Sequence, residues 1–254
     1  MSKNLKLSGK VAIVAGGGRG IGRAIALGLA QAGADVVPTS RTTAQLEEVV
    51  GEIKKMGRRS MTQPCDISQV SQIQTLVERV TKELKRIDIL VNASAISPIW
   101  KPIETITDSE WEQILGINLN GAFKLSREVG RKMIELGNGG SIIHIASVAG
   151  MMGTENIAAY AVSKAALIGL MKAQSSEWAK HKIRVNAIAP GWVYTDMARG
   201  VLDHPKLWPE MKREIPLQRY AQPEEIAPLA VYLASADSSY ATGQVFVIDG
   251  GQTT

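Results

Sequence analysis

The chain predicts an α/β fold: a single doubly wound domain, 1–254, in which a central parallel sheet is flanked by helices on both faces. Three observations carry this. Short apolar runs rich in β-branched residues alternate with longer segments of helical period. The runs are apolar at successive positions, as strands covered on both faces are. No internal repeat, low-complexity tract or Pro/Gly/Ser linker divides the 254 residues.

In order, Val11–Ala15 reads as the first strand, and the glycines after it make a tight turn into a helix, Gly22–Ala32. Val36–Thr39 is the second strand and Thr42–Met56 the second helix; Ser68–Leu84 follows, with Ser68 as its N-cap. Ile87–Val91 is the third strand. Ser109–Leu136 reads as one long helix capped by Asp108 or Ser109, and it leads to a strand at Ile142–Ala146. Ala158–Lys180 and Ile183–Ile188 repeat the pattern. Pro223–Ala234 and Val245–Ile248 close it, with Pro223 in a first turn where its missing N–H costs no hydrogen bond. One stretch, about 192–220, breaks the alternation: it holds two tryptophans, two tyrosines, two methionines and three prolines. It follows the carboxyl end of a strand, where doubly wound sheets bind ligands, and is expected to be a lid over a site.

Composition excludes several function classes. With 45% apolar and 21% charged residues, no apolar run approaches the ~20 residues of a membrane span, and Val11–Ala15 is too short for a signal core, so a cytoplasmic protein is expected. Cys65 is the only cysteine, which excludes an intrachain disulfide and a thiolate zinc site. His144, His181 and His204 lack ligand spacing, so no metal is expected, and His144, inside a strand, reads as a packed residue. The net charge of +5 comes from 29 basic and 24 acidic residues spread over the chain, a solvated surface rather than a nucleic-acid site.

Directly after the first strand comes Gly16-Gly17-Gly18-Arg19-Gly20-Ile21-Gly22, leading into a helix. Such a turn lets a pyrophosphate approach backbone N–H groups and the positive end of the helix dipole. The spacing is G-x-x-x-G-x-G through Gly16, Gly20 and Gly22, not G-x-G-x-x-G, and a tight strand-to-helix turn can also be purely structural. The second strand ends Thr39-Ser40-Arg41, where NAD-binding domains place an acid on the ribose hydroxyls. No acid stands there; Ser40, Arg41 and the loop's Arg19 suit the 2′-phosphate of NADP(H). NADP(H) is therefore expected over NAD(H), which stays possible if both arginines are merely solvated.

Tyr160 and Lys164, four apart, share a helix face and lie ~6 Å apart along its axis. At ~5 Å and an effective dielectric of ~20, the ammonium favours a phenolate by about 3 kcal/mol, or roughly two pKa units. A pair at this spacing is often accidental, but Ser147 follows the fourth strand, thirteen residues before Tyr160, and so belongs to the same sheet edge. Asn118 adds a polar group within a helical stretch.

Together these residues resemble the short-chain dehydrogenases/reductases along essentially the whole chain. The match runs through Gly16/Gly20/Gly22, Asp66-Ile67, Asn92, Asn118, Ser147, Tyr160/Lys164, Pro190-Gly191 with Thr195, and Asp249-Gly250-Gly251. The resemblance implies a Rossmann-type fold and a catalytic tetrad of Asn118, Ser147, Tyr160 and Lys164. Gly16, Gly18, Arg19, Gly20, Ile21, Gly22, Ser40 and Arg41 are then expected to hold the phosphates. Asp66 and Ile67 would lie at the adenine, Asn92, Ala93 and Ser94 along the cofactor, and Pro190, Gly191, Val193 and Thr195 at the nicotinamide. Tyr160 would exchange a proton with a carbonyl or alcohol oxygen that Ser147 orients, while Lys164 lowers the tyrosine pKa and bonds the nicotinamide ribose. The backbone of Asn118 would hold a water linking Lys164 to solvent.

Two positions depart from the family pattern. N-N-A-G reads Asn92-Ala93-Ser94-Ala95, and the threonine opening the glycine loop is Ala15. The substrate pocket is expected at Ser147, Met152 and Trp192, with Trp100 and Trp208 adding apolar wall. The resemblance points to the branch of gluconate 5-dehydrogenases and other sugar-acid or polyol enzymes. The 3-oxoacyl-carrier-protein reductases, a reductase of bulky ketones, and a catalytically silent NADP-binding sensor are the alternatives. Relatives are commonly homotetramers joined through the two long helices, so a homotetramer acting on a small carbonyl or alcohol substrate is expected, with no nucleic-acid or membrane partner.

Overall fold

The computed structural model describes residues 5–97 and 100–254. Its centre is a six-stranded, all-parallel sheet in the order β2-β1-β3-β4-β5-β6, with β1 Val11–Ala15, β2 Asp35–Thr39, β3 Ile89–Asn92, β4 Gly140–Ile145, β5 Ile183–Pro190 and β6 Val245–Ile248. Parallel strands need crossovers, and the helices α1 Gly20–Gln31, α2 Thr43–Lys55, α3 Val70–Leu84, α4 Asp108–Leu115, α5 Ala122–Leu136, α6 Ala158–Trp178 and α9 Ala227–Ala234 supply them. Two short helices, α7 Arg199–Leu202 and α8 Leu207–Arg213, fall within the 192–220 stretch.

The strands are apolar throughout because they separate two cores. Val11, Ile13 and Ala15 of β1 pack with Leu76, Leu125, Val129 and Met171 on one face. Ala12 and Val14 pack on the other face, with Ile25, Leu29, Val49 and Leu233. Successive residues of a strand point to opposite faces, so both parities must be apolar.

Several boundaries differ from expectation for local reasons. The helix expected from Ser68 begins at Val70 with Gln69 as N-cap, and Ser68 makes no cap; its N–H is instead bonded to the Asp66 carboxylate at 2.9 Å. Thr107, rather than Asp108 or Ser109, caps α4, through a capping box with Glu110. The long helix expected over Ser109–Leu136 is interrupted by a π-helical turn, Gly116–Gly121. Pro223 opens a 3₁₀ turn, Pro223–Glu225, ahead of α9. Outside the regular strands, residues 59–65 run beside β2, with the Arg59 carbonyl accepting from Val36 N–H and Cys65 N–H donating to the Ser40 carbonyl, and this delivers Cys65 and Asp66 to the carboxyl edge of the sheet.

Among the described residues no helix is long and apolar enough to cross a membrane.

Candidate active site

A cleft of about 450 Å³ opens beyond the carboxyl ends of the strands. It includes the point where chain order reverses between β1 and β3, the usual ligand position in a doubly wound sheet. Its floor is the glycine loop. A Cβ on Gly16, whose φ is +75°, would lie 2.8 Å from the Ala93 carbonyl, and one on Gly22 only 2.2 Å from the Gly16 oxygen. The loop is therefore pressed flat against residues 93–94, and only glycine leaves it that shape. Helix α1 starts there behind Arg19, which makes no side-chain cap, and its first turn holds no acid. Uncapped N–H groups and the positive dipole end thus meet a cleft lined by Gly16, Gly18, Gly20, Ile21 and Gly22, a cradle that fits a dinucleotide pyrophosphate.

Charged groups gather around that cradle. Ser40, Arg41, Asp66 and Ile67 line the cleft beyond β2. Burial works to raise the Asp66 pKa, but hydrogen bonds from Ser68 and the cations Arg41 and Lys124 hold it below the usual carboxylate value. Arg19 reaches across the mouth to Asp196, at 3.1 Å. On the opposite side Ala93, Ser94, Pro190, Gly191, Val193 and Thr195 complete the wall.

Helix α6 brings Tyr160 and Lys164 to the same wall. The Lys164 ammonium donates to the Ile145 carbonyl at 2.7 Å and lies 5.6 Å from the centre of the Tyr160 ring. Ser147 caps the short 3₁₀ turn Val148–Gly150, its hydroxyl accepting from Ala149 N–H at 3.2 Å. That turn lies against α6, because a Cβ on Gly150 would come within 2.7 Å of the Lys164 carbonyl carbon. Ser147, Tyr160 and Lys164 are thereby held together. The electrostatics correct one expectation. Burial raises the Tyr160 pKa, opposed by a hydrogen bond with Ser147, and burial also draws Lys164 down to about 8. Desolvation penalises both charged forms, so the neighbouring ammonium alone does not bring the phenol toward neutrality.

Asn118 and Asn92 do not line the cleft; both stand behind its wall. Asn118 is fully buried at the centre of the π-helical turn. Its amide donates to the Ile96 carbonyl at 2.9 Å and to Ser163 Oγ at 3.1 Å, and its Oδ1 accepts from Ile96 N–H at 2.8 Å. Ser163 in turn donates to the Tyr160 carbonyl at 2.7 Å, so Asn118 ties the loop after β3 to the start of α6. The Asn92 amide lies 3.3 Å from the Ala122 carbonyl and 3.3 Å from His144 Nδ1, while its buried Oδ1 has no partner.

The cleft is also lined by Met152 and Trp192, with Trp100, Thr154, Ile157, Met197, Val201 and Gln252. Trp208 lies behind instead, edge-on to Trp192 with ring centres 6.5 Å apart and packed on Tyr220. Sequence reasoning missed Thr154, Ile157 and Gln252, and had Met197 and Val201 only as part of the stretch about 192–220. Gln252 had a readable signal, since it directly follows Gly250 and Gly251, whose φ values of +69° and +92° mark a turn.

The comparisons agree with this geometry. A family profile described as enoyl-(acyl carrier protein) reductase matches residues 15–253. A 2-dehydro-3-deoxy-D-gluconate 5-dehydrogenase of Pseudoalteromonas atlantica is 37% identical over 252 residues, covering 99% of this chain and 98% of that one. Among solved structures, a gluconate 5-dehydrogenase of Burkholderia cenocepacia in complex with NADP and tartrate superposes with a TM-score of 0.93 at 32% identity, covering 98% of this chain and 97% of the other. A carveol dehydrogenase of Mycobacterium avium in complex with NAD gives 0.93 at 29% identity, over 97% and 98% of the two chains. With the sheet order, the glycine cradle and the Ser147–Tyr160–Lys164 wall in place, the chain belongs to the short-chain dehydrogenases/reductases.

Proposed function

We propose that this chain is an NADP(H)-dependent oxidoreductase that interconverts a secondary alcohol and a ketone, with Tyr160 as general acid and base. The observation that carries the reading is the shared wall: Ser147, Tyr160 and Lys164 border the same cleft as the glycine cradle. Gly16, Gly18, Gly20, Ile21 and Gly22 hold the pyrophosphate, and Arg19, Ser40 and Arg41 the 2′-phosphate. Asp66 and Ile67 take the adenine, Ala93 and Ser94 the ribose region, and Pro190, Gly191, Val193 and Thr195 the nicotinamide. When bound, NADP(H) supplies or accepts the hydride. Tyr160 gives its proton to the carbonyl oxygen in reduction and takes it back in oxidation. Ser147 holds that oxygen. Lys164, protonated below a pH of about 8, favours the tyrosinate that proton donation leaves. Asn118 and Asn92 act from behind, as positioning residues.

Within this reading the chain is one domain, and the stretch about 192–220 lies over the substrate as a lid. Phe123 on α5 and Val162 on α6 expose apolar surface on the elements expected to join subunits, which supports a homotetramer; light scattering reading a monomer would refute it. The lone, buried Cys65 suits a reducing compartment, and we place the protein in the cytoplasm. The relatives' names offer several substrate classes: sugar acids, 3-oxoacyl-carrier-protein thioesters, D-threitol and carveol.

Titration with NADPH and NADH, followed by carbonyl-dependent NADPH oxidation, tests the proposal. The expected outcome is roughly 100-fold tighter binding of NADPH, largely lost in Arg41→Ala, because charge-assisted hydrogen bonds are worth about 1.5–3 kcal/mol each. Equal binding of NADH would refute the 2′-phosphate assignment. Tight NADPH binding without turnover of any carbonyl would favour a silent sensor.

A further inference from the structure

We infer that the substrate is an uncharged, bulky and largely apolar ketone, or the matching alcohol, rather than a sugar acid. This rests on the alcohol/ketone reading of the cleft and adds the class of substrate.

Charge comes first. Among the described residues, those lining the cleft that carry charge are Arg19, Arg41, Asp66, Lys164 and Asp196. Arg19 and Asp196 pair with each other, and Arg41 and Asp66 stand by the cradle beyond β2. Lys164 is buried and holds the Ile145 carbonyl. Among these residues no cation remains on the substrate side to receive a carboxylate. Pro98 and Ile99, outside the described residues, carry no charge whatever their placement. A carboxylate there would give up its water with no partner in return, which disfavours a sugar acid.

The wall then says what fits. Trp100, Met152, Ile157, Trp192, Met197 and Val201 border the cleft. Trp100, Met152 and Met197 remain 48%, 40% and 47% exposed, apolar surface gathered at one mouth, so a ligand that covers them gains by removing it from water. Trp192 is braced edge-on by Trp208, which packs on Tyr220, so this part of the wall is set before a ligand arrives. Of the neutral hydrogen-bonding side chains on the lining, Ser147 and Tyr160 are committed to the reacting oxygen, which leaves Ser97, Thr154 and Gln252 for the rest of a substrate, fewer than the row of hydroxyls on a polyol needs. A polyol bound here would set its remaining hydroxyls against apolar side chains.

Near the mouth two basic residues share one acid. Arg19 and Arg199 both face Asp196, at 3.1 and 3.6 Å.

The test compares kcat/KM of the full chain with NADPH for three carbonyls: trans-1-decalone, 5-ketogluconate and an acetoacetyl thioester of N-acetylcysteamine. The decalone should exceed 5-ketogluconate by at least about 100-fold, as a mismatch between a charged group and an apolar site predicts. Trp192→Ala should lower kcat/KM for the decalone at least tenfold, mainly through KM. Met152→Arg, by placing a cation on the wall, should raise 5-ketogluconate turnover. Preference for 5-ketogluconate or the thioester would overturn the inference while leaving the alcohol/ketone reading intact. Decalone turnover indifferent to Trp192→Ala would overturn the assignment of the wall. NADPH binding without reduction of any of the three would overturn both the inference and the reading beneath it.

Discussion

Helix α6 carries two buried polar systems about ten residues, or ~15 Å, apart, and they have opposite fates. At its far end Gln174 accepts from His144 Nε2 at 2.9 Å and donates to Ser126 at 2.7 Å, and Ser126 donates on to the Ala122 carbonyl at 2.7 Å. This direction of donation fixes His144 as the neutral Nε2–H tautomer, with Nδ1 accepting from Asn92. Burial, with Lys164 nearby, holds the His144 pKa down at about 4 although the bond to Gln174 works to raise it. At its near end Lys164 is buried and Tyr160 half-buried, and both open onto a cleft. A buried imidazole whose two nitrogens are both matched is a structural part, whereas a half-buried phenol that borders a cleft is where the proposed proton exchange would take place.

The sharpest way to break this comparison is to remove the open end's proton. Tyr160→Phe should lower kcat by about 10³-fold, within the range general acid–base catalysis supplies, with the NADPH dissociation constant unchanged. Substantial residual turnover would show that the phenol is as structural as His144.

The next test is the closed end. Below about pH 6.5 the unfolded chain protonates its histidine, while folded His144 resists until about 4. Stability therefore falls as pH drops across that window, by ~3 kcal/mol when complete. Unfolding free energies from urea titrations at pH 7 and pH 5 should separate by about 2 kcal/mol more in the wild type than in His144→Gln. Equal separation would mean that His144 is not held neutral.

Behind the open end stands Asn118. Asn118→Ala should lower kcat/KM by roughly 10- to 100-fold, since it removes three hydrogen bonds that hold Ile96 and Ser163 without touching the cleft. An unchanged pH profile with that loss would mark it as a positioning residue. The smallest effect belongs to Ser126→Ala, expected to cost about 1 kcal/mol of stability with kcat unaltered. A loss of activity there would join the two systems into one.

How much was legible in the sequence differs between sheet and site. The strands were readable because burial on both faces leaves a signal at every position, and the structure moves each boundary by only a few residues. Caps were less so: Thr107 prevailed over Asp108 and Ser109 because Glu110 stands three positions after it and closes a capping box. The cradle was readable from its glycines, since a missing Cβ leaves a mark in sequence. The substrate wall was not. Trp100 and Trp192 reach the cleft while Trp208 braces from behind, and nothing local in the sequence separates these positions, because three-dimensional packing decides which indole faces inward. The pKa of Tyr160 was misjudged because a pairwise charge estimate leaves out desolvation, the larger effect here.

The π-helical turn Gly116–Gly121 has a consequence for lineage. A π turn is an α-helix carrying one surplus residue, and each added residue rotates the downstream helix by about 100°. Upstream of it α4 packs against α6, while downstream α5 packs against α3 and offers Leu125, Val129 and Met133 to the sheet. Deleting any one residue of the turn restores a regular helix but swings one of these faces away from its core. Deletions in this stretch should therefore cost more than most point substitutions, Asn118 and Gly121 excepted, so the length of the segment constrains the fold more than most of its letters do.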